Sequence, residues 1–118
     1  MNATIARRGI GSPWEAEIAI ASGSTGVPVA LIKAVIAQES AWDPGAVNAA
    51  DPSYGLMQVN TRAHPDVTPA EMLDPAANIA YGAAYLAQQL ARYGFPGGIS
   101  AYNAGHPIGG NAAYVTEV

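Results

Sequence analysis

Apolar residues recur at helical spacing over three stretches of the chain, separated by stretches that are polar or rich in turn formers. In the first, Trp14, Ile18 and Ala21 share one helical face. Ser12-Pro13-Trp14-Glu15 reads as its start, with Ser12 as N-cap, Pro13 at the first helical position and Glu15 completing a capping box. The pattern stops near Gly23, inside a Ser-Gly-Ser-Thr-Gly turn at 22–26. In the second, Pro28 opens a helix in which Ile32, Val35, Ile36 and Glu39 fall at i, i+3, i+4 and i+7. Asp43-Pro44-Gly45 ends it, because a residue before proline avoids the helical region. In the third, Asp74-Pro75 starts a long helix with the stripe Ile79, Gly82, Ala83, Leu86, Leu90 and Tyr93. Gly82 and Ala83 would let a neighbouring helix approach closely. Gly94 stops this helix.

The remaining segments are shorter. Residues 44–63 have no helical period and hold Pro44, Gly45, Asn48, Asp51, Pro52 and Gly55, all turn formers. Val67-Thr68-Pro69-Ala70-Glu71 is a second capping box and predicts a short helix. Residues 98–104 predict another, broken by Gly105-His106-Pro107, and Asn111 to Val118 reads as a last one. Residues 1–11 show no periodicity and read as a loose leader. The expectation is a single domain over 1–118, mainly α: a small orthogonal helical bundle with one irregular, β-like loop lobe.

Composition narrows the function classes. Apolar residues make up 50% of the 118, enough for a real core, while charged residues are only 12%. Such a low-charge surface suits a neutral polymer such as a sugar chain. The net charge of -4 argues against nucleic acid as a partner. Cysteine is absent and the two histidines, His64 and His106, are isolated, so no metal site is expected. No cofactor is implied. No stretch approaches the ~20 apolar residues of a membrane span. The sequence does not speak to oligomeric state.

Glu39 breaks the pattern of the second helix, because a carboxylate occupies a position that calls for a buried Leu. Burial disfavours the charged form, so its pKa is expected to be raised. A carboxylic acid still protonated near neutral pH can protonate a leaving oxygen. A bland reading is a half-exposed acid at a helix end, but the macrodipole disfavours an acid there.

Glu39-Ser40, then Gly55-Leu56-Met57-Gln58, then Ala101-Tyr102-Asn103-Ala104-Gly105 and Ala113-Tyr114-Val115 together resemble the soluble lytic transglycosylase catalytic domain. That family belongs to the lysozyme-like superfamily, with the goose-type lysozymes. The resemblance runs from about Val27 to Val118. It implies a lysozyme-like fold whose loop lobe flanks a cleft, peptidoglycan glycan strands as substrate, and Glu39 as the catalytic residue. By the same resemblance Ser40 orients the acid or holds substrate, and Gly55 lets the backbone pass close to the sugar. Met57 lies at the cleft floor. Gln58 meets a saccharide hydroxyl or acetamide, and Tyr102 and Asn103 bond the acid or the acetamide. Tyr114 is a cleft tyrosine. Four of these have an ordinary alternative: a helix-end hydroxyl for Ser40, core for Met57 and Tyr114, a local cap for Asn103.

Goose-type lysozymes carry an Asp after Gly-Leu-Met-Gln-Val, where this chain has Asn60. Asp43 and Asp51 are the nearby acids. Asp51 is the only serious second carboxylate, and the bland reading of both is turn and cap chemistry before Pro44 and Pro52. The expectation is therefore lytic transglycosylase action, with one Glu as acid and then base, leaving 1,6-anhydromuramic ends. The alternatives are a muramidase that hydrolyses through Asp51, and a non-catalytic wall-binding or phage structural module. The Pro/Gly-rich link from Gly94 to Gly98 suggests a shallow product side. Arg7-Arg8 lead into Gly9-Ile10-Gly11-Ser12 rather than an apolar run. An enzyme of this kind then reaches the cell wall by another protein's export or by excision from a larger polypeptide.

Overall fold

The structure, a computed structural model, describes residues 13–104. Five helices and a small sheet follow in the order α1 (Glu15–Thr25), α2 (Val29–Ser40), β1 (Val47–Asn48), β2 (Ser53–Tyr54), β3 (Val59–Asn60), α3 (Pro69–Met72), α4 (Pro75–Tyr93) and α5 (Gly97–Ala104). The fold is mainly helical, as the periodicity predicts. The expected leader, the break at 105–107, the last helix and Tyr114 lie outside the described residues. No helix among those described is long and apolar enough to cross a membrane.

α4 is the centre of the molecule and packs against α1, α3, α5 and β3. Asp74 caps it by accepting from the Ala77 N–H at 3.0 Å, and Pro75 takes the first turn, where no N–H is needed. Its stripe is buried at Ile79, Gly82, Ala83 and Leu86, while Leu90 and Tyr93 are half-buried. Ile18 and Ala21 of α1, Ile32, Val35 and Ile36 of α2, and Leu56 and Met57 of the loop lobe complete the core.

Three local readings change. α1 begins at Glu15 rather than at Pro13, with Trp14 before it in the left-handed region at φ 60°, and Ser12 of the expected capping box lies outside the described residues. Trp14 stacks on Trp42, just past α2, with centroids 6.5 Å apart and planes 4° from parallel. That aromatic contact sets how the chain enters the helix. α1 also runs past Gly23 to Thr25, and Gly26 ends it at φ 79° by donating to the Ser22 carbonyl. α2 stops at Ser40 rather than at Asp43, because Ala41 and Trp42 both turn left-handed. The capping box at Thr68 and Glu71 forms as the sequence predicts.

The loop lobe is an antiparallel three-stranded sheet in the order β1-β2-β3. Its register pairs Asn48 with Ser53 and Ser53 with Asn60, so these three polar residues form one cross-strand row. Val47, Tyr54 and Val59 form the next.

Candidate active site

A pocket of about 390 Å³ opens between the sheet, the end of α2, and helices α4 and α5. Glu39 lines it, together with Asp51, Gln58 and Asn60 from the loop lobe and Tyr102 and Asn103 from α5. Such a volume is in the range of small-ligand sites. Glu39 is half-buried rather than enclosed like Ile32, Val35 and Ile36. α2 ends one residue later, so its last turn stands at the edge of the pocket instead of inside the core.

The Gly-Leu-Met-Gln turn is built around Asn78 of α4. This amide is fully buried. Its Oδ1 accepts from the Met57 N–H at 2.8 Å, and its Nδ2 donates to the carbonyls of Tyr54 and Met72, each at 2.8 Å. One side chain thereby ties the loop lobe and the end of α3 to the central helix. Gly55 sits at φ 79°, and a Cβ there would collide with the Met72 carbonyl oxygen and the Asn78 amide. Gly55 is thus required by the Asn78 contact. It does not line the pocket, as it would if its purpose were close approach to a sugar.

Met57 also differs from its expected place. Its side chain is fully buried, and a Cβ on Gly82 would lie 2.6 Å from its sulfur. The small residue in α4 makes room for Met57, not for another helix. Gly98 makes the close helix approach instead, with α5 lying on the α4 backbone at Leu90. Ser40 points its hydroxyl back into α2, donating to the Ile36 carbonyl at 3.2 Å, and it does not line the pocket. That is the ordinary helix-end role.

Gln58 does line the pocket, in a left-handed conformation at φ 52°. Its Nε2 donates to the carbonyls of Ala46 and Gly55 at 3.1 and 3.0 Å. Both amide hydrogens are spent on the loop, so the amide oxygen is the atom it can offer a ligand. Tyr102 donates to the Met57 carbonyl at 2.7 Å and so locks α5 to the turn. Its one proton is thus given to backbone, and the phenol oxygen is left as an acceptor. Burial holds the Tyr102 pKa well above its usual value, and the charge of Glu39 and then Tyr85 push it further. Glu39 and Tyr102 are therefore electrostatic neighbours. Asn103 is exposed at the pocket rim.

Asp51 and Asn60 form a pair in the same pocket. Asn60 Oδ1 accepts from the backbone N–H groups of Arg62 and Ala63, at 2.9 and 3.1 Å. Its Nδ2 is thereby turned toward Asp51 and donates to Oδ1 at 2.7 Å. Asp43 accepts from the Gly45 N–H at 2.9 Å, a local turn outside the pocket.

The sequence reading missed several lining residues: Asn48 and Ser53, which complete the polar row of Asn60, and His64, Tyr81 and Tyr85. The row depends on strand register. Tyr81 and Tyr85 stand four apart on α4, a spacing visible in the sequence, but nothing there says which side of α4 faces a cleft.

The sequence model of the family described as Transglycosylase SLT domain matches residues 17–113. That span holds Glu39-Ser40, the Gly55–Gln58 turn, Ala101-Tyr102-Asn103 and every lining residue of the pocket.

Proposed function

We propose that the chain, which belongs to the transglycosylase SLT domain family, cleaves peptidoglycan with Glu39 as its single acid and base. Family membership supports peptidoglycan lytic transglycosylase activity in general. The observation that carries the finer reading is the half-buried Glu39 in the pocket beside Tyr102, with an amide rather than a carboxylate at position 60.

In this mechanism Glu39 protonates the glycosidic oxygen between N-acetylmuramic acid and N-acetylglucosamine. The bond from that oxygen to C1 breaks, and the muramic acetamide oxygen supports the charge developing at C1. Glu39, now ionised, takes the proton from the C6 hydroxyl of the same sugar, and O6 closes onto C1. No water is consumed. The nucleophile belongs to the bound sugar, so the closure is intramolecular and gains from proximity. Tyr102, Asn78 and Gly55 keep the turn that carries Gln58 in register with Glu39.

One observation favours a second reading. Asp51 shares the pocket with Glu39 and is held in place by Asn60. A carboxylate so placed can direct a water toward C1 and give hydrolysis. Mass spectrometry of digested peptidoglycan separates the two, because an anhydro end is one water lighter than a reducing end. The expected result is anhydro ends from the first time points, and an Asp51→Asn variant that keeps most of its activity. Reducing muramic ends that vanish in Asp51→Asn would replace the transglycosylase reading with the hydrolytic one.

A further inference from the structure

His64 and Tyr81 line the pocket and form with Asp66 a cluster that the mechanism above does not use. The Tyr81 hydroxyl donates to the Asp66 carboxylate, 2.9 Å from Oδ1 and 3.1 Å from Oδ2. The same phenol oxygen lies 3.1 Å from His64 Nδ1. A phenol has one proton, and an ionised carboxylate only accepts. With that proton turned to Asp66, the contact to His64 is a hydrogen bond only if Nδ1 carries hydrogen and donates to the phenol oxygen. The neutral ring then has a bare Nε2, an acceptor. No residue among those described hydrogen-bonds Nε2. The ring is held edge-on to Tyr85, with centroids 4.4 Å apart, and to Tyr81 at 5.3 Å.

We propose that Asp66 and Tyr81 are positioning residues that hold His64 in its Nδ1–H form, so that Nε2 accepts a hydrogen bond from a hydroxyl or amide N–H of an uncharged amino-sugar unit. The proposal rests on the reading of this pocket as a glycan site. The lining contains Glu39 and Asp51 but no Lys or Arg among the described residues, which disfavours an anionic group in the same place. The tyrosine rings at 85 and 102, tilted at 47° with centroids 5.5 Å apart, add apolar surface next to the acceptor, as a sugar face needs. The groups that face His64 are Asp66 from its own loop and Tyr81 and Tyr85 from α4, while Glu39 and Asp51 complete the charged lining. Burial lowers the His64 pKa more than Asp66 raises it, so the ring is neutral at neutral pH. In acid Nε2 gains a proton and stops accepting.

The test uses the full chain carrying Glu39→Gln, which binds without turnover. Nitrogen–proton correlation spectra of the imidazole at pH 7.5 are expected to show His64 as a single Nδ1–H tautomer, with an unprotonated Nε2. Tyr81→Phe removes the partner of Nδ1 and is expected to give a tautomer mixture. Titration with an N-acetylglucosamine oligomer is expected to show about fivefold weaker binding for Tyr81→Phe and for His64→Phe, the worth of one neutral hydrogen bond. The double variant is expected to be no weaker than either single one. An Nε2–H tautomer in the parent, a tautomer indifferent to Tyr81→Phe, or undiminished binding by His64→Phe each overturns the proposal. Lysis by the wild-type chain together with undiminished binding in His64→Phe removes this inference and leaves the proposed function standing. No lysis by wild type and no oligomer binding by the parent removes both.

Discussion

Glu39 owes its position to where its helix stops. It continues the face of Ile32, Val35 and Ile36, yet the left-handed turn at Ala41 leaves it half-buried in the pocket. Glu39→Gln keeps size and polarity and removes the transferable proton. Wall lysis, followed as loss of turbidity, is expected to fall by at least ~10², with the circular dichroism spectrum and glycan binding retained. Asn78 is the residue on which the turn depends. Asn78→Leu leaves the Met57 N–H and the Tyr54 and Met72 carbonyls without their partner, and each unmet group costs ~1–3 kcal/mol. Denaturant titration is expected to show a loss of several kcal/mol on that basis. Asn78→Asp keeps the acceptor for Met57 but brings a second carboxylate oxygen against two carbonyls. It is expected to be destabilised at neutral pH and partly restored in acid.

At the scale of elements, two glycines with opposite surroundings test how the helices are held. A Cβ at Gly98 would come within 2.5 Å of Leu90 Cα and 2.7 Å of Leu90 N, the backbone of a packed helix that cannot yield. Gly98→Ala is therefore expected to push α5 off α4. It would also weaken the bond from Tyr102, one turn further on, to Met57. A loss of ~1–3 kcal/mol is expected from such overpacking, with lysis reduced alongside. Gly23 lies exposed within α1, with nothing within 4 Å of an added Cβ. Gly23→Ala is expected to gain ~0.5–1 kcal/mol, since alanine restricts the unfolded chain and favours the helix. Melting temperatures of both variants check the pair. Equal effects would mean that α5 has room to move.

At the scale of the whole molecule, the pocket tyrosines tie folding to alkaline pH. The Tyr81 pKa is pushed up to about 12, first by burial and then by its hydrogen bond to Asp66, the Asp66 charge and Tyr85. Tyr102 is also raised well above its usual value. An unfolded phenol loses its proton near ~10, so between that pH and about 12 the folded chain holds protons that the unfolded chain has released. The stability these groups contribute is complete below ~10 and is lost as pH rises through the folded values. The melting temperature is expected to fall over that window, and Tyr81→Phe is expected to make the fall shallower. An identical slope in the variant would show that Tyr81 titrates as in the unfolded chain.

The helices were legible in the sequence because their signals are local. The stripe of α4, its Asp74-Pro75 start and its Gly94 stop all act within a turn of the residues concerned. Glu39-Ser40, the Gly55–Gln58 turn and Ala101-Tyr102-Asn103 were legible as a pattern, and the family match over 17–113 spans these three. What each motif residue does was not. Met57, Gly55 and Ser40 read as ligand contacts, but Met57 is core, Gly55 makes room for the Asn78 amide and Ser40 bonds its own helix. Asn78 was hidden because a polar residue beside an apolar stripe reads as solvated, and its three partners lie 6 to 24 residues away. The row of Asn48, Ser53 and Asn60 and the His64–Tyr81–Asp66 cluster needed strand register and helix orientation. Periodicity decides which residues share a face. Which face meets a pocket depends on contacts between segments distant in the chain, and only the tertiary structure supplies those.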